Sequence, residues 1–251
     1  MLRSILERWS RGIVLKRSLP VEFGRRRIFV SPEGGGLRYW KYNMNSIDPI
    51  LLNLVRGFVK PGDTVWDVGG NLGFFTFTSA VQSKGGKVVT FEPDISLAYL
   101  LRKTADANPD LNVSILPLAV SDQDGTAQFN IAERARSTNF LAEASGSTQT
   151  GGIRRTITVP TVRLDTVLAW FPAPDLLKID VEGAEHLVLR GMLHLLATIR
   201  PIVMCEVDAQ NQAFVTQTML SHRYQLFDAE KLPQRVEVAV APYTLLALPL
   251  P

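Results

Sequence analysis

A glycine-rich segment after an acidic residue is the first part of the sequence whose residue types could do chemistry. It reads Asp67-Val68-Gly69-Gly70-Asn71-Leu72-Gly73 and ends a short apolar run. Glycines permit a tight turn and let a ligand approach the backbone, and amides at the start of a following helix can bind an anionic group. The dinucleotide pattern G-x-G-x-x-G is not met, because Asn71 stands where the second glycine belongs. Asp67 repels a pyrophosphate but suits a ligand that carries an ammonium group.

A second acidic residue, Glu92, directly follows the next predicted strand and precedes Pro93. A carboxylate at a strand end can accept hydrogen bonds from both hydroxyls of a ribose, and such an acid typically lies about 20 residues after a glycine turn. Glu92 lies 19 residues after Gly73. We therefore interpret Glu92 as a candidate ribose-binding residue.

Strand-like and helix-like segments alternate from residue 48 onward, where Asp48 and Pro49 form a cap and first residue of a helix. The predicted strands are Thr64–Val68, Lys87–Phe91, Asn112–Leu116, Thr126–Ile131, Thr156–Val162, Leu176–Ile179, Pro201–Val207, Gln225–Phe227, Val236–Val240 and Leu245–Leu248. The helices between them include Ile95–Ala107, Asp165–Trp170, Ala184–Leu196 and residues 209–221. This order predicts an α/β fold with a mostly parallel sheet, helices on both faces and an antiparallel edge. Ligands of such sheets bind beyond the carboxyl ends of the strands.

The glycine turn and the sequence Phe91-Glu92-Pro93 resemble the cofactor site of class I methyltransferases that use S-adenosylmethionine. Three further segments resemble the FkbM family of these enzymes: LDT at residues 164–166, KIDVEGAE at residues 178–185 and RPIVMCEV at residues 200–207. The resemblance runs from about residue 63 to residue 207, and the segments occur in the family's order and spacing. It implies a Rossmann-like methyltransferase sheet with S-adenosylmethionine as the cofactor.

The resemblance also implies which residues bind the cofactor. Asp67 is expected near the methionine ammonium, and Ala119 beside the adenine. Many methyltransferases have an acid just before this alanine that binds the adenine amino group, but here Leu118 occupies the position. Ser121, Asp122 or backbone groups are therefore expected to replace it. The cofactor-binding residues predicted in this way are Asp67, Gly69, Gly70, Asn71, Gly73, Glu92, Pro93, Ala119 and Ser121.

The resemblance shows two departures from the family. Gly70 stands where the family usually has alanine, a change not expected to impair binding. Asp208 stands where many members have histidine or asparagine. The second departure concerns the region expected to bind the substrate.

Carboxylates concentrate after two later strands. Asp180 and Glu182 follow Leu176–Ile179, and Glu206 ends the next parallel strand. We predict Asp180 as the base or substrate anchor, with Glu182 and Glu206 beside it as catalytic residues. Glu185 is interpreted as a residue that favours the start of the following helix. Lys178 is expected to pair with an acid below the site, because a buried lysine is costly unless it is paired.

Glu206 and Asp208 end one predicted strand and Asp180 follows its neighbour, and three carboxylates at adjoining strand ends need neutralisation. A Mg²⁺ ion, which prefers oxygen ligands, is one solution, and a shared proton that creates a general base is another. We favour the metal-free solution, since such acids also bind sugar hydroxyls. His186 and Cys205 are interpreted as structural residues, because they lie inside a predicted helix and an apolar strand.

Composition limits the class of protein. The 251 residues are 46% hydrophobic and 20% charged, which is enough for a sizeable core in one large or two small domains. No apolar run reaches the roughly 18 residues that a membrane-spanning helix needs. A single cysteine excludes an internal disulfide framework, and three histidines argue against a multi-histidine zinc centre. A reducing cytoplasm fits this composition.

The positive charge is concentrated at the N-terminus. Residues 1–27 contain eight basic and two acidic residues, so the remainder carries a net negative charge. This distribution argues against a nucleic-acid partner, which requires a basic face on the folded domain. The apolar spacing of Leu2, Ile5, Leu6, Trp9 and Ile13 predicts an amphipathic helix packed on the domain, with membrane-surface contact as the alternative. We divide the chain into a basic extension, residues 1–47, which could cover the substrate, and a methyltransferase domain, residues 48–251.

Residues 133–152 interrupt the core as a long polar segment, and long loops are often functional. Polar side chains in this segment are candidates for contact with a polyhydroxylated or anionic substrate, namely Arg134, Arg136, Ser137, Thr138 and Asn139. Three aromatic residues of the extension could stack on a sugar or cover the core edge, namely Tyr39, Trp40 and Tyr42.

The sequence thus predicts an S-adenosylmethionine-dependent O-methyltransferase that acts on a hydroxyl of a sugar or secondary metabolite, as the family resemblance implies. The NPPY-type segment of enzymes that methylate amino groups of nucleic-acid bases is absent. Two alternatives stay open: an NAD-linked oxidoreductase, and a pseudoenzyme that binds the cofactor without turnover. The sequence also leaves a homo-oligomer open.

Overall fold

The computed structural model describes residues 12–35, 39, 43–133, 135–144 and 150–251. Predictions that concern residues 1–11, Trp40, Tyr42 and Arg134 lie outside these residues. The strands are β1 (Leu15–Ser18), β2 (Arg27–Val30), β3 (Thr64–Val68), β4 (Lys87–Phe91), β5 (Val113–Leu116), β6 (Ala119–Val120), β7 (Gly125–Ala132), β8 (Phe140–Leu141), β9 (Ile153–Val162), β10 (Leu176–Ile179), β11 (Ile202–Glu206), β12 (Tyr224–Asp228) and β13 (Thr244–Pro249). The α-helices are α1 (Pro32–Gly35), α2 (Pro49–Phe58), α3 (Phe74–Gln82), α4 (Ile95–Asp106), α5 (Leu164–Val167), α6 (Glu185–Arg190), α7 (Leu193–Thr198) and α8 (Gln212–Ser221).

A seven-stranded sheet with the order β12-β13-β11-β10-β3-β4-β5 forms the centre of the fold. The five strands from β11 to β5 run parallel, and β13 pairs antiparallel with both β11 and β12. The predicted α/β class, with its mostly parallel sheet and antiparallel edge, is confirmed. Ile179 lies opposite both Val68 and Cys205, and Val68 lies opposite Phe91. The residues that follow these positions therefore meet at one edge of the sheet.

Apolar side chains cover both faces of this sheet, as expected for parallel strands that connect through helices. Val65 packs in a core with Leu54 and Phe77 of the helices α2 and α3. Its neighbour Trp66 points to the opposite face, because side chains alternate along a strand, and packs in a second core with Leu189 of α6. All five residues of β3 are buried, which makes this central strand a rigid support for the glycine turn that follows it.

The N-terminal part of the described chain forms an antiparallel pair, β1 with β2. Phe23, Ile28 and Val30 are buried in the same core as α2 and α3. Ile13, the last residue of the predicted amphipathic helix, lies in an irregular segment before β1. The boundary at residue 48 stays a prediction, although this pair of strands packs on the body of the domain.

A second sheet with the order β6-β9-β7-β8 is inserted between β5 and β10. The long antiparallel pair β7–β9 confirms the two alternating segments predicted there. Part of the polar segment between them is ordered, with a 3-10 turn over Arg136–Thr138 followed by β8. This turn lies beside the carboxyl edge of the central sheet, as described below.

Two predicted elements are wrong. The segment Val236–Val240 is not a strand, since only an isolated bridge joins Glu237 to Phe227. The single helix predicted over Ala184–Leu196 is divided into α6 and α7 around Gly191. A side chain at Gly191 would lie 2.1 Å from the carbonyl oxygen of Ser121, so the chain approaches a neighbouring loop closely at this point. None of the helices in the described part of the chain has the length and apolar character needed to cross a membrane.

Candidate active site

A cavity opens at the carboxyl edge of the central sheet and encloses an empty volume of about 600 Å³, part of it open to solvent. Seven of the predicted site residues line it, namely Gly69, Asn71, Glu92, Pro93, Ala119, Asp180 and Glu182. Five others are not among its lining residues, namely Asp67, Gly70, Gly73, Ser121 and Glu206. The sequence therefore located the cavity, and the structure separates residues that line it from residues that support it.

The glycine turn is compressed between neighbouring strands. A Cβ on Gly69, which has φ +84°, would lie 1.9 Å from the carbonyl oxygen of Asp180. At Gly70, where an alanine was expected, a Cβ would lie 2.1 Å from Oγ1 of Thr90. The hydroxyl of Thr90 therefore occupies the space that the methyl group of the expected alanine would need, which explains why a glycine stands at position 70.

Asn71 presents an unsatisfied acceptor at this turn. It adopts a left-handed backbone conformation with φ +48°, which asparagine tolerates better than most residues. Its side-chain Oδ1 is buried and has no hydrogen-bond partner among the described residues. Because buried acceptors normally have partners, this atom is available to a ligand in the cavity.

Glu92 is held in one orientation by the backbone. Its Oε2 accepts a hydrogen bond from the amide of Asn71 at 2.7 Å, and its Oε1 accepts one from the amide of Asp94 at 2.8 Å. Burial raises the pKa of Glu92 to about 8, although these amides oppose the shift. Each carboxylate oxygen can accept more than one hydrogen bond, so Glu92 can still accept from a ligand hydroxyl.

Asp67 lies behind the cavity wall and is completely buried. Its Oδ1 pairs with Nζ of Lys178 at 3.1 Å, and its Oδ2 accepts from Oγ1 of Thr76 at 2.6 Å. The same ammonium donates to the carbonyl oxygen of Gly69 at 3.0 Å and lies 3.4 Å from Oδ2 of Asp180. The predicted pairing of Lys178 with an acid below the site is confirmed. Although burial opposes the charge, the carboxylates of Asp67 and Asp180 raise the pKa of Lys178, so it stays protonated.

A group of carboxylates lies at the ends of β10 and β11. Burial, together with the nearby charges of Asp180 and Glu206, raises the pKa of Glu182 to about 8. The charge of Asp180 and burial raise the pKa of Glu206 to about 7. Glu182 also has a left-handed backbone with φ +47°, a strained conformation of the kind found at functional sites.

Tyr243 is a site residue that sequence reasoning missed. Its hydroxyl donates a hydrogen bond to Oε2 of Glu206 at 3.1 Å, and its carbonyl oxygen accepts from the amide of Val207 at 2.7 Å. The ring is largely exposed. Tyr243 reaches the site because β13 pairs antiparallel with β11, and the pairing partner of a late strand is not visible in the sequence.

The remaining polar candidates have structural roles. Glu185 is buried and accepts hydrogen bonds from the amide of Gly183 at 2.9 Å and from Nδ2 of Asn211, which agrees with its predicted role at the start of α6. Cys205 is fully buried, and burial raises its pKa well above that of a free thiol. Within the described residues, no group of three His, Cys, Asp or Glu side chains is arranged to hold a metal ion.

The polar turn of the inserted sheet also reaches the cavity, through Arg136, Ser137 and Asn139. Arg136 forms ion pairs with Asp94 and Glu33, and Nδ2 of Asn139 donates to the same Asp94 carboxylate at 2.8 Å. Two of the predicted substrate-contacting side chains are thus already engaged by the protein itself. Thr138 donates its hydroxyl to the carbonyl oxygen of Ala135 at 2.9 Å.

Together, the parallel sheet, the glycine turn and the acid after β4 define an α/β domain with a cavity at the carboxyl edge of its sheet. The model of the methyltransferase FkbM domain matches residues 67–229, and the chain belongs to this family. The match begins at the acid before the glycine turn and extends beyond the acidic group.

Comparisons with known proteins give one curated relative and several solved structures. The hexuronic acid methyltransferase AglP of Haloferax volcanii is 27% identical over 163 residues, which cover 63% of this chain and 62% of that protein. The matched segment thus spans less than two thirds of this relative. A precorrin-6Y C5,15-methyltransferase from Geobacter metallireducens has 10% identity and a TM-score of 0.49, covering 80% of this chain and 86% of that one. A methyltransferase FkbM from Methylobacillus flagellatus has 16% identity and a TM-score of 0.47, and the match covers 86% of this chain and 58% of that one.

Proposed function

We propose that the protein is an S-adenosylmethionine-dependent methyltransferase that methylates a hydroxyl group of a sugar or related small molecule. The single observation that carries this proposal is the cavity itself. It is lined by the glycine turn after β3, a ribose-type acid after β4 and the carboxylates of Asp180 and Glu182 after β10, in a chain of the FkbM family. A cofactor and a hydroxylated acceptor could therefore meet in one place.

The residues of the cavity fit the cofactor. Gly69 lines the cavity, and the unpartnered Oδ1 of Asn71 offers an acceptor to the cofactor's amino group. The carboxylate of Glu92, fixed by two amides, is placed to accept from ribose hydroxyls. Asp67, expected to contact the ammonium directly, acts instead through Lys178, which donates to the carbonyl oxygen of Gly69. When bound, S-adenosylmethionine supplies an electrophilic methyl group on a sulfonium.

The protein's contribution is to orient the acceptor and to take its proton. Lys178 holds Oδ2 of Asp180, which leaves Oδ1 available to accept a proton from the acceptor hydroxyl. Glu182 and Glu206, whose pKa values are about 8 and about 7, carry protons part of the time at neutral pH and can donate or accept hydrogen bonds to further hydroxyls. Positioning is expected to supply most of the acceleration, since the methyl group is already activated.

Two observations support a sugar as the acceptor. The relative from Haloferax volcanii is a hexuronic acid methyltransferase, although the match covers only part of it. Carboxylates and an exposed tyrosine ring stand together at the acceptor end, and these groups suit hydroxyls and the apolar face of a sugar ring.

The first experiment is calorimetric titration of the full chain with S-adenosylmethionine, S-adenosylhomocysteine and NAD. We expect the first two to bind and NAD not to bind. At pH 9, above the pKa of about 8 that burial gives Glu92, its carboxyl is mostly ionised. Under this condition Glu92→Gln should weaken S-adenosylhomocysteine by about 10-fold or more, because a hydrogen bond to a charged group contributes roughly 1.5–3 kcal/mol. The control is Glu230→Gln, at an exposed glutamate in the turn after β12. Binding of NAD alone would overturn the methyltransferase proposal.

Transfer is then measured with S-adenosylmethionine and a panel of hydroxylated glycosides, with and without added Mg²⁺. We expect S-adenosylhomocysteine to form in step with a methylated glycoside. Asp180→Asn should lower kcat by at least about 100-fold, which is the lower end of what a general base contributes. An unchanged rate in this variant would favour cofactor binding without the proposed role of Asp180.

A further inference from the structure

The adenine end of the cavity lacks the residue that the family resemblance led us to expect. Leu118 occupies the position of the acid, and Ser121, its expected replacement, is not among the residues that line the cavity. The hydroxyl of Ser121 donates to Oδ1 of Asp122 at 3.3 Å, and its backbone packs against Gly191. Asp122, the other side chain expected to replace the acid, does not line the cavity either, so a side chain that bonds to the adenine must come from another part of the chain.

The order of strands fixes which end of the cavity receives the adenine. The lining residues run from Asp180 after β10, through Gly69 after β3 and Glu92 after β4, to Ala119 beyond β5. If Glu92 binds the ribose and Asp180 faces the acceptor, the base extends from Glu92 towards Ala119. This end is covered by the turn Arg136–Thr138 of the inserted sheet and by the apolar side chains of Phe129 and Leu141.

The covering turn is held in place on both sides of Ser137. Before it, Arg136 forms an ion pair with Asp94, whose amide also donates to Glu92. After it, Asn139 donates to Asp94 at 2.8 Å and accepts from the amide of Ala132 at 2.8 Å. The turn is thus tied to the same short segment that orients the ribose acid, and its position relative to Glu92 is well defined.

Ser137 is the polar side chain of this turn that remains available. It lines the cavity and is partly buried, and its hydroxyl has no hydrogen-bond partner among the described residues. Arg136 forms ion pairs with Asp94 and Glu33, and its guanidinium can only donate hydrogen bonds, so it cannot accept one from an amino group. Asn139 bonds to Asp94 and Ala132. The hydroxyl of a serine can accept one hydrogen bond while it donates another, so it suits an exocyclic amino group beside a ring nitrogen.

We propose that Ser137 Oγ accepts a hydrogen bond from the exocyclic amino group of the cofactor's adenine, so that the inserted sheet sets the selectivity for the base. This inference rests on the proposed function, since it requires S-adenosylmethionine in the cavity. It assigns to the insertion a role in cofactor recognition, whereas the sequence analysis assigned its polar residues to the substrate.

The test compares two ligands and three variants by calorimetry, without turnover. The ligands are S-adenosylhomocysteine and its analogue in which hydrogen replaces the 6-amino group of the base. Ser137→Ala removes the hydroxyl, Ser137→Thr keeps it, and Thr138→Val removes the neighbouring hydroxyl, which bonds to Ala135 within the turn. Thr138→Val therefore reports the effect of loosening the turn alone.

The wild type should bind S-adenosylhomocysteine about fivefold more tightly than the analogue, the size of one neutral hydrogen bond. Ser137→Ala should lose this preference by weakening only the first ligand, while Ser137→Thr and Thr138→Val keep it. An equal effect of Ser137→Ala on both ligands, or no effect, would overturn the inference but leave the proposed function intact. Failure of the wild type to bind S-adenosylhomocysteine would overturn both.

Discussion

The two ends of the cavity solve the problem of buried charge in opposite ways. At the acceptor end, Asp180, Glu182 and Glu206 approach one another with Lys178 as the nearby described cation, and Lys178 is already paired with Asp67. At the adenine end, charges balance, because two arginines meet two carboxylates: Arg136 contacts Asp94 and Glu33, and Arg154 contacts Glu33.

Under the proposed function, this difference separates an end of the cavity that is held together by ion pairs from an end whose carboxyl groups take part in the reaction. At the adenine end, Arg154 and Arg136 lower the pKa of Glu33 although burial opposes this shift. The ionised form of Glu33 is therefore stabilised there. The pKa values of Glu182 and Glu206 are raised instead, so their ionised forms are destabilised. Natural proteins retain such destabilised groups mainly where function needs them.

The largest expected effect comes from removing Lys178, the cation that lies between Asp67 and Asp180. Lys178→Met leaves Asp67 buried without its ion-pair partner, and breaking one member of a buried pair typically costs about 3–5 kcal/mol. We expect a loss of this size in the free energy of unfolding, measured by urea denaturation. The double variant Lys178→Met/Asp67→Asn should recover part of the loss, because it removes the unpaired charge. Equal stability of the single and double variants would contradict this account of the pair.

The next largest effect is expected from breaking the ion pairs at the adenine end. Arg136→Gln should lower the free energy of unfolding by about 2 kcal/mol, since hydrogen bonds to buried charged groups contribute roughly 1.5–3 kcal/mol. The side chains of Arg136 and Asp94 are 9% and 1% exposed, whereas those of the surface pair Arg163 and Asp124 are 47% and 42% exposed. Arg163→Gln is therefore the matched control, with an expected change below about 0.5 kcal/mol. A similar loss in the free energy of unfolding in both variants would show that burial does not make the Arg136–Asp94 pair more stabilising than the surface pair.

Much of this architecture was predictable from the sequence because the signals were local. The strand β3, the turn and Glu92 follow from apolar runs, glycines and an acid within one βαβ unit, and the cap Asp48 accepts from the amide of Leu51 as its position predicted. The cavity was located by the rule that ligands bind beyond the carboxyl ends of parallel strands. The family segments strengthened the same conclusion.

What the sequence did not predict depends on contacts between distant segments. Tyr243 reaches Glu206 across 37 residues, and Arg136 reaches Asp94 across 42. A polar side chain in a long loop has the same appearance whether it faces a ligand or an ion pair. The division of the predicted helix at Gly191 likewise depends on the close approach of the loop at Ser121, which no periodicity reveals.

A smaller effect concerns pH at the acceptor end. The pKa of Glu182 is about 8 in the folded chain and 4.5 as the unperturbed value, so the folded state keeps a proton that the unfolded state loses as pH rises from 4.5 to 8. Stability therefore falls across this window. Glu182→Gln, which cannot ionise, should exceed the wild type by about 1–2 kcal/mol at pH 8.5 and differ little at pH 5, in paired urea titrations. The exposed Glu230→Gln should show no such divergence, and a constant difference at both pH values would contradict the proposed shift.

The smallest expected effect concerns the charge of the acceptor. Among the described residues at the acceptor end, Lys178 is neutralised by its own partners, so an acceptor carboxylate would meet Asp180, Glu182 and Glu206 without a free counter-charge. We expect methyl glucoside to be methylated with a kcat/KM about fivefold higher than methyl glucuronide, a difference of about 1 kcal/mol. Added salt should narrow the gap, because screening weakens repulsion between partly exposed charges. Glu206→Gln should likewise reduce the difference in kcat/KM between the two glycosides. A preference for the glucuronide would instead require a cation from outside the described residues, and would bring the specificity of this chain closer to that of its hexuronic acid methyltransferase relative.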